Sequence, residues 1–122
     1  MSKPGKAGLE RIIDAWGYSL QGFKATWKHE AAFRQETWAA LVLTPCAFML
    51  GDNTTQIALL LITLYGILMA ELINSALESV VDRISDEQHE LSGRAKDQGS
   101  AIVFLAIAIA ASTWLLIAWQ QF

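Results

Sequence analysis

Cysteine occurs once in the 122 residues, as Cys46 inside an apolar run. A single thiol cannot close an internal disulfide, so no redox framework is indicated. Histidine occurs twice, as His29 and His89, and with the lone cysteine elsewhere in the chain no zinc-type ligand spacing arises. Charge is scarce: 17% of residues are Asp, Glu, Lys or Arg, and a net charge of −3 gives no electrostatic footprint for nucleic acid. The opening MSKPGKAGLE has basic residues but no following apolar core or small-residue cleavage site, so a short flexible tail is expected and a signal peptide is not. Also missing are G-x-x-x-x-G-K-[ST], G-x-G-x-x-G, H-E-x-x-H and G-x-S-x-G. Lack of a phosphate loop does not exclude phosphoryl transfer, which mainly requires positioning, metal and cationic stabilisation.

Apolar sequence is abundant. Hydrophobic residues make up 53% of the chain and the mean hydropathy is positive, which points to a membrane protein of one domain. Residues 101–119, AIVFLAIAIAASTWLLIAW, carry no charge. They would form a helix of about 28 Å at ~1.5 Å per residue, close to the thickness of a bilayer's hydrocarbon. A second span begins at Ile57, runs without charge to Ala70, and continues as helix through Glu71. A third, at 37–50, is shorter and contains Pro45, where a kink is expected. GDNTTQ separates it from the second as a short polar turn. The nine basic residues lie either before the first span (Lys3, Lys6, Arg11, Lys24, Lys28, Arg34) or in the 82–99 loop (Arg83, Arg94, Lys96). The positive-inside rule then puts the N-terminus and that loop in the cytoplasm and the C-terminus outside.

Ahead of the spans, Leu9, Ile13, Trp16, Leu20, Phe23 and Trp27 recur at helical intervals, with Arg11, Asp14, Gln21, Lys24 and Lys28 off the stripe. A helix of this kind could pack on a soluble core. Beside membrane spans, its Trp and basic residues suit the cytoplasmic interface. Gly17 and Gly22 are candidate breaks. The expected architecture is all-α: one membrane domain over 1–122, with a surface helix at about 9–35 and transmembrane helices at about 36–51, 57–82 and 98–119.

Glu71, Asn74, Glu78 and Asp82 form a polar stripe on one helix face. Counted from Ile57, Glu71 lies about 21 Å and Glu78 about 31 Å along the axis, so Glu71 sits in the cytoplasmic half of the hydrocarbon and Glu78 near its surface. Carboxylates at such depth are costly and mark functional groups facing other helices or a polar cavity. The plainer alternative is helix-to-helix glue across an oligomer interface. Glu30, Asp86, Glu87, Glu90 and Asp97, with His89, Arg94 and Lys96, gather at the same level. Taken singly these charges describe a solvated surface. Together with the stripe they suit Mg²⁺ carrying a polyphosphate, because Mg²⁺ takes one or two carboxylates plus substrate oxygens.

EAAFRQE at 30–36, ELINSALESVVDRI at 71–84 and ELSGRAKDQGS at 90–100 resemble, in that order and spacing, the small bacterial integral-membrane diacylglycerol kinases. The resemblance runs from about Arg11 to Trp119. It implies a homotrimer in the bacterial inner membrane, with three transmembrane helices and a surface helix per chain and active sites shared between neighbours. It implies transfer of the γ-phosphate of ATP, with Mg²⁺, to diacylglycerol, giving phosphatidic acid. By the same resemblance Glu71 is the general base, Asn74 orients the site, and Glu30 and Glu78 hold Mg²⁺. Lys96 neutralises the transferring phosphate, and Glu87, Gln88, His89 and Asp97 belong to the nucleotide pocket. Arg11 and Tyr18 approach ATP, Arg11 touching lipid as well, and Ser100 matches a lipid-site position.

Plainer roles exist for some of these: Glu30 could pair with Arg34 along a helix, and Lys96 with a loop acid or lipid phosphate. Two other functions share the features. An undecaprenol kinase of the same architecture would use the same stripe. A non-enzymatic helical adaptor or transporter subunit would line an interface or cation path with it, leaving Lys96 and the loop acids without a use.

Overall fold

The structure, a computed structural model, describes residues 7–122; the expected tail, with Lys3 and Lys6, lies outside the described residues. The described chain is four helices in order: α1 (Leu9–His29), α2 (Ala31–Leu50), α3 (Thr54–Ile84) and α4 (Glu90–Gln121).

α1 starts where its apolar stripe starts and runs unbroken through Gly17 and Gly22. It ends earlier than the expected position 35, because Glu30 is extended (φ −119°, ψ 106°). α2 begins immediately afterwards and continues through Pro45 as one helix. Arg34 secures the break by donating from Nη1 to the carbonyls of Trp27 (2.6 Å) and Lys28 (3.2 Å), covering orphan acceptors at the end of α1. The apolar stripe of α1 remains open, with Leu9, Ile13, Trp16, Leu20 and Phe23 all exposed. At Trp27 it meets α2, in an edge-on contact with Trp38 at 6.2 Å between ring centres.

The turn between α2 and α3 is tight. Asn53 caps α3, its side-chain oxygen accepting from the Gln56 N–H at 2.9 Å, so the helix starts three residues before the apolar run. α3 then carries the polar stripe to Ile84 without interruption. α3 and α4 form the most extensive helix pair. Where the start of α3 meets the end of α4, Gln56 donates to the Gln120 side chain (3.0 Å) and accepts from that of Gln121 (3.4 Å). Ala47, Leu60 and Ile117 from three helices form a buried cluster, with Trp114 donating from Nε1 to the Leu60 carbonyl at 3.3 Å. Thr44 and Tyr65 share a 2.7 Å hydrogen bond between α2 and α3.

α3 and α4 are long and apolar enough to cross a membrane. α2 falls outside that pair, since its first turns contain Arg34, Gln35 and Glu36. The connection between α3 and α4 is also shorter than the expected loop at 82–99. His89 Nδ1 accepts from the Leu91 N–H at 3.0 Å and caps α4, so ELSGRAKDQG is already helical.

Candidate active site at the α3–α4 end

Glu71 is the buried carboxylate of the stripe, at 6% exposure. Its carboxyl faces Glu36 on α2 and feels the charges of Glu30 and Glu78. Glu30 and Glu78, expected to act with Glu71, are thus within electrostatic reach of it in one chain. One turn along, Asn74 Nδ2 donates to Glu78 Oε1 at 3.4 Å. Three buried polar atoms at this level have no hydrogen-bond partner: Glu36 Oε2, Asn74 Oδ1 and Ser75 Oγ. Unpaired buried polar atoms cost free energy and need a structural or functional reason.

Nearer the helix end, Lys96 Nζ on α4 contacts Asp82 Oδ1 on α3 at 2.8 Å. The hydrogen bond and charge of Asp82 hold the lysine above its ordinary pKa, with a smaller contribution from Glu78. Asp82, Asp86, Glu87, Gln88, His89 and Lys96 share a cleft of about 380 Å³ capped by the α3–α4 connection. Within it the Glu87 N–H donates to Ser85 Oγ at 2.9 Å. The cleft thus joins a fixed cation to several acceptors and exposed backbone near a helix start, a chemistry suited to a phosphorylated, water-soluble ligand.

Glu30 lies on another side of α3, in a recess of about 300 Å³ with Thr26, His29, Ser75 and Ser79. Its backbone break leaves the carboxylate unengaged in helix capping. Arg34 is committed to the carbonyls of α1, an arrangement different from the simple Glu30–Arg34 helix pair considered above. Arg11 lines a recess formed by α1 alone, and Tyr18 is 40% exposed on the same helix. Asp97 and Ser100 are exposed on α4. None of these four lines the cleft of the single chain.

Glu36 is the residue that sequence reasoning passed over. Its signal was present, an acid at the very start of an apolar run, inside EAAFRQE. Asp82 was placed on the stripe without a task and proves to be the partner of Lys96. Among the described residues, no three His, Cys, Asp or Glu side chains gather as a ready-made metal cage. Two nearby carboxylates and unpaired acceptors do fit Mg²⁺, which takes few protein ligands and completes its shell with water and phosphate oxygens.

The fold and site define an all-helical protein with two membrane-length helices and a carboxylate-rich centre within one of them. The Prokaryotic diacylglycerol kinase profile matches residues 17–118. Proteins named diacylglycerol kinase are similar over nearly their whole length. The Haemophilus influenzae protein is 50% identical over 107 residues, covering 88% of this chain and 91% of the relative. That of Escherichia coli is 48% identical over 115 residues, 94% of each, and that of Pseudomonas aeruginosa 47% over 113 residues, 93% of this chain and 92% of the relative. The chain belongs to the prokaryotic diacylglycerol kinase family.

Proposed function

We propose that this protein transfers the γ-phosphate of ATP to the hydroxyl of diacylglycerol, giving phosphatidic acid and ADP. The observation that carries this reading is the burial of Glu71 beside Glu30 and Glu78, one short stretch of helix below a polar cleft containing Lys96. A membrane lipid can bring its hydroxyl to the first, while a water-soluble nucleotide can enter the second.

Glu71 accepts the proton of the lipid hydroxyl as that oxygen attacks the γ-phosphorus, and the bond from phosphorus to the ADP oxygen breaks. Asn74 holds Glu78 through its amide. Glu30 and Glu78 are the residues that would hold Mg²⁺, which supplies charge neutralisation of the phosphate oxygens. Lys96 adds a fixed positive charge at the transferring group, exchanging Asp82 for phosphate oxygen. Glu87, Gln88, His89 and Asp97 contact the nucleotide, as do Arg11 and Tyr18, while Arg11 and Ser100 also border the lipid.

The outward position of Arg11, Tyr18, Asp97 and Ser100 supports a homotrimer in which α1 of one chain completes the site of another. In this reading α2, α3 and α4 all cross the bacterial inner membrane, with α1 in the cytoplasmic interface. The open apolar stripe of α1 fits that placement. ADP release from Mg-ATP by the purified protein in mixed micelles, with diacylglycerol or undecaprenol given separately, tests the substrate. Turnover on diacylglycerol is expected. Preference for undecaprenol replaces the substrate, and no turnover on either leaves an adaptor role.

A further inference from the structure

At one point along the α3–α4 pair, a bare stretch of backbone lies against a site side chain. Gly99 on α4 is buried. A Cβ added there would overlap Asn74 Oδ1 and come within 3.3 Å of its Cγ, while its distance to Leu77 Cδ1, 3.4 Å, is ordinary contact. The requirement is local to this position. Gly17, Gly22, Gly66 and Gly93, also in helices, have nothing within 4 Å of such an atom.

Small residues at helix interfaces commonly let two backbones approach. A Cβ added at such a position would run into the facing backbone or an apolar side chain. Here the first obstacle is the polar head of Asn74. That carboxamide is held at both ends: Nδ2 donates to Glu78 Oε1, and Oδ1 is buried against Gly99 with no hydrogen-bond partner. Asn side chains choose among few χ1 wells. A methyl group at position 99 leaves Asn74 no way to keep Oδ1 where it is, so the carboxamide turns and its bond to Glu78 is lost.

We propose that Gly99 is a positioning residue, whose missing side chain seats the Asn74 carboxamide so that it stays directed at Glu78. This rests on the lipid-kinase reading above, in which Asn74 and Glu78 serve phosphoryl transfer. Gly99 acts only through Asn74 and touches neither substrate.

The test uses the full-length protein in lipid-containing micelles as wild type, Gly99→Ala, Asn74→Ala and the double variant. Thermal midpoint and steady-state kinetics with Mg-ATP and diacylglycerol are measured for each. Gly99→Ala is expected to lower kcat about 100-fold, the scale of a small misplacement in an active site, with KM for diacylglycerol nearly unchanged. Its thermal midpoint falls in the Asn74 background, and the double variant melts where Asn74→Ala does, because the overlapping atoms are gone. Two results overturn the proposal: near-wild-type kcat in Gly99→Ala, or an equal drop in midpoint whether or not Asn74 is present, which is plain helix packing. A wild-type protein that phosphorylates no lipid sinks the kinase reading instead, and the melting comparison still decides whether Gly99 and Asn74 are coupled.

Discussion

Lys96, near the start of α4, and Asp82, near the end of α3, tie the two helices together, Nζ to Oδ1 at 2.8 Å, at the rim of the cleft. Both side chains are substantially exposed, so the pair contributes little to stability. Lys96→Met should therefore leave the thermal midpoint close to wild type while lowering kcat about 100- to 1,000-fold, the range for losing one preorganised charge at a transition state. Kinetics and melting of the same sample check this. A collapse of the midpoint would assign Lys96 to scaffolding.

The same pair has a defined pH signature. The folded-state pKa of Lys96 is raised, so the stability the pair adds is fully present below the unfolded value of 10.5 and is lost as pH rises through the higher folded value. From neutral pH up to 10.5 the small stability difference between wild type and Asp82→Asn should stay constant, and it should shrink only at more alkaline pH. Denaturation curves at several pH values read this out. A difference that already disappears near neutrality would contradict it.

Leu60, fully buried between Ala47, Ile117 and Trp114, anchors the end of the bundle nearest the α2–α3 turn. In a membrane the transfer term is weak because lipid is as apolar as leucine, so cavity formation dominates the loss. Leu60→Ala should cost about 1–3 kcal/mol, toward the lower end of core truncations. Denaturation in mixed micelles measures it, and kcat per folded molecule should be unchanged because Glu71 lies about three turns further along α3 and the cleft at its far end.

Topology can be read with a membrane-impermeant maleimide on intact spheroplasts of a Cys46→Ser background. Phe122→Cys and Asp52→Cys should be labelled on the same face if α4, α3 and α2 each cross: three spans with a cytoplasmic N-terminus place 52 and 122 outside and 86 inside. The expected pattern is thus labelling at 122 and 52 and protection of Asp86→Cys. Labelling at 86 with protection at both 52 and 122 would remove α2 from the set of spans.

Much of this was legible because it depends on local pattern. The stripe from Leu9 to Trp27 marks α1 to within its first residue, and the uncharged run after Ile57 leads directly into the Glu71 face. The break at Glu30 was not legible: EAAFRQE is rich in helix formers, and the extended backbone there is held by Arg34 reaching back to carbonyls of α1. The start of α4 was misjudged for a related reason. ELSGRAKD is too polar for a span and on polarity alone reads as loop, yet Glu, Leu, Arg, Ala and Lys favour helix and His89 caps it. Glu36 escaped notice because its partner, Glu71, is brought to it only by the packing of α2 on α3. Residues that face outward, such as Arg11 and Ser100, meet no site group within their own chain, so the role proposed for them in a shared site is one that no single-chain pattern specifies.

The central claim is that Glu71 takes the proton of the lipid hydroxyl. Glu71→Gln keeps the size of the side chain and removes only the base, so kcat for diacylglycerol phosphorylation by the purified protein is the measurement that tests it most directly. The account predicts a fall of about 100-fold or more with the thermal midpoint retained or raised, since a buried carboxylate has been replaced by a neutral amide. Full activity in Glu71→Gln would contradict it and return the polar stripe to the role of contact between helices.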